Sequence, residues 1–539
     1  MARGSWQQRV TIAALVWTAQ ACAAQPPPLA PPSALISARL RRLSNVEYER
    51  SANGLLGLNE AVQNELPPDE RQDGYAINER QAVPSYFASE LARVTERLAE
   101  RAVAERLSVL LPCPAAQPPS SPCVAKALDQ LALSAFRRPP SSLERSALFR
   151  LFQRGATTPA AGATDPRAEG LRVVLSTLLS SSDMLYLSEL GAGEPHAGAL
   201  TTLTPYEIAS SLAYAVSGAP PDRALLGLAA RATPLLDPEV RAREARRLLS
   251  LSSTRHHFRE FVLEWLEVDQ LERTAKATSL VSNYDEVKRH MLAETSAFVD
   301  EVMVYGGASL SSLLAARFTS PDATMASYYG IPGFAGPRVS LVRQGRVGVL
   351  EHASFLSAHA YEDVTSPIKR GDFVLRRVLC VALPRPGELG IDTTLPPRDE
   401  HATTRARFAA HTSSSSCRSC HDSIDPLGFS FEAFDAGGRR RTLENDLQIE
   451  TKGEFTLGDR KLAFRDSAEL ATELSGLPEA RSCFAKQALR YLTGRHAPEM
   501  ERWFGQLVEA LPADRRDSLL EWVVAWVKSP EFVLRRHAS

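Results

Sequence analysis

The sequence predicts a mainly helical, multidomain protein with one small β-hairpin near its C-terminus. Three observations predict it. Apolar residues recur at helical spacing through most of the 539 residues. The 36 Pro and 30 Gly call for many connecting loops between those runs. Strand-like alternation with glycine turns is confined to residues 441–465. A chain that is 44% apolar and 23% charged has material for sizeable cores, and its length suggests three or four domains. The 62 basic and 63 acidic residues leave a net charge of -1, which gives no case for nucleic-acid or polyanion binding.

The N-terminus reads as an export signal over residues 1–24. Arg3 and Arg9 supply a basic start, Thr11 to Ala19 a short apolar stretch, and Ala21-Cys22-Ala23 a small-residue cleavage site. Cys22 is also a candidate lipid-modified first residue of the mature chain. No other segment approaches 18 uncharged apolar residues, so no membrane span is expected in the mature protein. A periplasmic or secreted location follows, free or anchored through Cys22. Residues 25–36 are Pro-rich and read as a linker.

Helical runs then follow in order. Two lie within 37–110, and in the second Phe87, Leu91, Val94 and Leu98 share a face. Residues 111–160 form a short helical unit broken at Pro139 and Pro140. Cys113 and Cys123 flank a turn-rich stretch there, and an oxidising compartment favours a disulfide between them. Residues 161–335 are almost entirely helical. Thr204 caps a helix, Pro205 suits its first position, Glu207 completes a capping box, and Leu203 packs over Ile208. A second helix runs near 284–304. Residues 336–440 mix short helices with loops, and residues 441–539 combine the hairpin with helices near 479–493 and 514–528. Cys380 and Cys483 sit in apolar surroundings, either singly or paired with each other.

One motif is sharp. Cys417-Arg418-Ser419-Cys420-His421 is CxxCH, the attachment signature of c-type haem in an exported chain. Two thiols separated by two residues reach the two vinyl groups of one porphyrin, and the next histidine becomes the proximal axial ligand of the iron. Three duller readings stand beside it. The thiols form a structural disulfide or a redox pair, the three residues ligate zinc, or the match is chance. Candidates for the second axial position are His359 and His411, then His352; Met291, Met303 and Met325 read as core. Arg405 and Arg407 are candidate partners of the haem propionates. Asp425-Pro426-Leu427-Gly428-Phe429 reads as a turn that lays Leu427 and Phe429 on the porphyrin edge. Glu432 and Asp435 bond Arg439 or Arg440 to lock the loop.

The chain resembles the large exported proteins of planctomycetes and myxobacteria built from serial domains of unknown function 1587, 1595, 1592, 1588 and 1585. The first is carried by Leu40 to Tyr48 with Leu55-Leu56-Gly57, and the second by Ala135-Phe136-Arg137-Arg138-Pro139. Leu203 to Leu225 resembles the third, with Ser211 where the family has an arginine and no tryptophan near Ser217. Ser366-Pro367-Ile368-Lys369-Arg370-Gly371, Thr404-Arg405, His411 and the stretch from Cys417 to Arg439 resemble the fourth. Cys483-Phe484, Tyr491, Gly494-Arg495 and Ser529 to Phe532 resemble the fifth. The resemblance implies a cytochrome c-like haem-binding loop and supplies no substrate.

The expectation is therefore one covalent haem c held by Cys417, Cys420 and His421. The protein then serves electron transfer, or oxidises or reduces an unidentified substrate, with a redox protein or small molecule as partner. A peroxide-using haem enzyme and a non-enzymatic binding protein are the alternatives.

Overall fold

Helix starts follow the capping chemistry in the sequence. The computed structural model describes residues 35–538 except 159–164, 194–195, 232, 306, 335, 337, 385–393, 395, 398 and 412–414. The export signal, Cys22 and residues 25–34 of the Pro-rich stretch lie outside the described residues. The Thr204 hydroxyl accepts from the Glu207 amide and Glu207 accepts from the Thr204 amide, closing a capping box ahead of the helix Pro205–Ser217. The box satisfies amides that a helix start otherwise leaves open. Ser44 and Ser141 build the same box before Asn45–Leu56 and Ser142–Thr157. Leu203 and Ile208 are both buried, as a staple across the Thr204 cap requires.

Apolar spacing then decides which faces are buried. The helix Ser85–Leu110 buries Phe87, Leu91, Val94 and Leu98. Pro139 and Pro140 lie in the break between Pro122–Phe136 and Ser142–Thr157. The predicted helix near 284–304 runs over Tyr284–Tyr305. The Cys113–Cys123 disulfide closes its turn with a Cα–Cα distance of 5.9 Å. A second disulfide joins Cys380 to Cys483 across 103 residues of sequence.

Two local expectations are corrected. Arg39–Arg42 is a strand, antiparallel to Tyr186–Glu189, where helical periodicity suggested a helix. The Ser44 cap starts the helix later, and Arg41 and Arg42 are buried in ion pairs with Glu47 and Asp69. The end of the Pro-rich stretch is also docked: Ile36 is buried and the Leu35 amide donates to Glu531. The described strands form five two-stranded antiparallel sheets. The predicted hairpin is Gly453–Leu457 paired with Arg460–Phe464. Gly458 takes the left-handed turn position at φ +59°, while Gly453 begins a strand. A smaller hairpin, Leu443–Glu444 with Leu447–Gln448, precedes it, and an unpredicted helix covers Pro498–Glu509.

The largest core runs from Ile36 through Trp265, Phe373 and Leu427 to Trp522. It therefore crosses the sequence boundaries at 335 and 440. An N-terminal core centres on Tyr48, Leu98 and Phe152, and a small one on Met291. The C-terminal strand Leu534–Arg536 pairs with Leu200–Thr202, and Arg535 donates to Glu189 at 2.5 Å. No described helix is long and apolar enough to cross a membrane.

Candidate functional site

CxxCH does not lie in a loop. Residues Ser415–Phe429 form one helix, with Pro426 inside it. The physical reason is a buried stripe: Cys420, Ile424 and Leu427 recur at helical spacing against the largest core. Asp425-Pro426-Leu427-Gly428 is thus the last turn of a helix, not a separate turn. Pro426 lacks the amide that would donate to the Asp422 carbonyl, a tolerable loss so near the helix end. Helical geometry sets Cys417, Cys420 and His421 at i, i+3 and i+4, on one side of the helix.

Two glycines fix where that helix sits. It crosses the short helix Pro367–Phe373 at backbone contact. A Cβ on Gly428 would lie 1.9 Å from the Pro367 carbonyl oxygen, and one on Gly371 would lie 2.3 Å from the Ile424 carbonyl oxygen. Neither position admits a side chain without parting the helices. Arg370 lies fully buried beneath the crossing and donates to the carbonyls of Leu356, Phe431, Phe434 and Asp435 at 3.0–3.3 Å. Burial lowers its pKa to about 10. Glu432 is buried beside it, accepting from Thr365 at 2.7 Å and Arg441 at 2.9 Å. Glu432 thus bonds neither Arg439 nor Arg440, the partners expected from sequence. Asp435 does bond Arg439, at 3.0 Å, and Arg440 donates to the Gln344 and Gly345 carbonyls.

The helix face next to the buried stripe borders an open cavity of about 910 Å³. His421, Asp425, Pro426 and Phe429 line it from the helix, Phe464 from the hairpin and Arg465 from just past its end. That volume is in the range of cofactor sites. His421 Nδ1 lies 2.7 Å from Asp425 Oδ1, with side-chain exposures of 21% and 15%. Arg405 lines the same cavity, stacks over the Phe429 ring at 4.7 Å and donates to the Glu450 and Lys452 carbonyls. Burial pushes its pKa down.

The remaining predicted residues separate. Cys420 packs against the core edge and Cys417 is half-buried; neither lines the cavity, and neither is part of the two disulfides. Among the described residues no three His, Cys, Asp or Glu side chains converge as a metal site would. His411 ends the helix Thr404–His411, whose Ala409 borders the cavity. His359 is packed between Phe355 and Phe373, 3.5 Å from Glu267, and is not brought to His421. His352 is buried on Phe298 with Nδ1 3.0 Å from Thr295, and burial lowers its pKa to about 3. Leu427 is core, whereas Phe429 reaches the cavity. Arg407 donates to the Pro397 carbonyl and Arg439 to Asp435 and the Leu280 carbonyl, so of the three predicted arginines Arg405 alone lines the cavity. The partnership of His421 with Asp425 was missed; its signal is the i, i+4 spacing, visible once the segment is read as helix.

Four family descriptions match the chain in series. Residues 41–104 match a protein of unknown function (DUF1587), and residues 123–189 match another (DUF1595). Residues 203–331 match DUF1592, and residues 346–444, which include CxxCH, match PSCyt3, a protein of unknown function (DUF1588). The chain belongs to the multidomain family built from these domains. The family's fourth domain spans both crossing helices, so its SPIKRG and DPLGF segments are the two faces of one contact. No curated protein and no solved structure matches the chain.

Proposed function

We propose that the chain is an exported c-type haem protein acting in electron transfer or as an oxidoreductase. One haem is tethered through Cys417 and Cys420 and ligated by His421. The observation that carries this reading is the cavity beside His421, on a helix that also bears the paired thiols and lies within the fourth family domain. The donor set suits the group: two thiols for thioethers and an imidazole for iron. Bound haem supplies one-electron chemistry at its iron.

The chain's own residues have separate tasks. Phe429 and Phe464 give the cavity apolar wall that limits water. Arg405 is the cation suited to a propionate, since its planar guanidinium reads carboxylates in pairs. Attachment requires the Cys420 thiol, which packs at the core edge, to face the cavity. Two disulfides support an oxidising compartment. A redox protein or a small molecule is the partner.

The test is expression with export and a haem-attaching system, followed by a pyridine haemochrome spectrum and haem staining after denaturing electrophoresis. Wild type should stain. Cys417→Ala/Cys420→Ala should not, and His421→Ala should change the spectrum of any haem that remains. An unstained wild type refutes the reading. Addition of cyanide or peroxide then distinguishes a closed, electron-passing iron from one open to a peroxide reaction.

A further inference from the structure

We propose that Asp425 is the positioning residue of the iron ligand: it accepts the Nδ1 proton of His421, presents Nε2 to iron and biases the couple toward ferric. The inference deepens the haem reading above and rests on it. Its geometric basis does not depend on a bound group. His421 and Asp425 are one turn apart on the same rigid helix, 2.7 Å between Nδ1 and Oδ1. Both are mostly shielded from water, which weakens screening between them. The helix carrying the pair is itself held by the close backbone contacts at Gly371 and Gly428.

A neutral imidazole has one N–H and one lone pair, and the partner of the N–H decides which nitrogen is left to coordinate. With Nδ1 donating to Asp425, the lone pair sits on Nε2. A carboxylate acceptor also draws on that proton more strongly than a neutral carbonyl does. It makes the ring a more basic ligand and stabilises the higher charge on ferric iron. Arg405 lies across the same cavity and feels the Asp425 charge, but it donates its hydrogen bonds to the Glu450 and Lys452 carbonyls. The imidazole is the group Asp425 holds.

Asp425→Asn keeps the shape and removes the charge. The haem-loaded full chain, wild type and variant, is titrated to its midpoint potential after the haemochrome assay has established attachment. The variant should shift about tenfold toward ferrous, about 59 mV upward for a one-electron couple. Its ferrous iron–imidazole vibration should fall in frequency, whereas Asp425→Glu should restore part of both shifts. Equal potentials and vibrations in wild type and Asn variant overturn the proposal and leave the haem reading standing. A wild type without covalent haem overturns both. If the Asn variant fails to mature, the haem-free chain decides through histidine-selective ¹⁵N labelling. His421 protonated on Nδ1 supports the proposal, and protonation on Nε2 overturns it.

Discussion

Replacing Gly428 by alanine tests the contact that places the CxxCH helix. The new Cβ would stand 1.9 Å from the Pro367 carbonyl oxygen and 2.6 Å from its carbon. Ordinary contact begins near 3.4 Å, so the two helices must part by more than an ångström. The obstacle is backbone and cannot rotate away as a side chain would. Overpacking of this kind costs about 1–3 kcal/mol, and a rigid neighbour puts the cost at the upper end. Alanine returns about 1 kcal/mol of helix propensity. The expected net loss is about 2 kcal/mol, read from denaturant midpoints, with lower haem incorporation because the helix shifts. Gly227 supplies the control. It is an exposed glycine in the helix Arg223–Ala229 with nothing within 4 Å of an added Cβ. Gly227→Ala should therefore stabilise by up to about 1 kcal/mol. If both substitutions stabilise alike, the account of the Gly428 crossing fails.

Two further perturbations probe the buried charges. Arg370→Ala strips donors from four carbonyls, three of them buried, and removes a cation beside Glu432. A loss of about 3–5 kcal/mol is expected, with Arg370→Lys recovering only part, because an ammonium cannot span the fan of acceptors; denaturant unfolding of the three proteins checks it. Glu264 carries a pKa raised to about 8, chiefly by burial. The native chain then holds a proton that the unfolded chain has released, between about pH 4.5 and 8. That contribution to stability is complete below this window and is lost as pH rises through it, at up to about 1.4 kcal/mol per pH unit. Glu264→Gln keeps an acceptor for the Ala76 amide and should flatten the profile. Parallel urea-midpoint profiles from pH 5 to 9 would show the assignment to be mistaken.

What the sequence revealed was local. The Thr204–Glu207 box, the Phe87 to Leu98 stripe, the break at Pro139 and the hairpin turn at Gly458 each depend on residues a few positions apart. Propensity and capping suffice to read them. Long-range contacts left no such trace. The Arg39–Arg42 strand finds its partner about 150 positions later, and Cys380 meets Cys483 only because the largest core brings them together. The CxxCH segment misled for a different reason. A serine run before it and an Asp-Pro pair after it look like helix breakers, but the Cys420, Ile424, Leu427 stripe had enough apolar surface to prevail. Part of the cavity wall comes from the hairpin and its flanks, and nothing in residues 452–465 announces a neighbour at 421. His359 and His352 looked available in the sequence, but three-dimensional packing commits them to other partners.

The most direct test of the central claim is mass spectrometry of the protein matured by export in a haem-attaching host. The account predicts a proteolytic peptide spanning Cys417 to His421 that carries one haem through both sulfurs. The same peptide recovered with unmodified thiols, or with the two cysteines joined to each other, would contradict it.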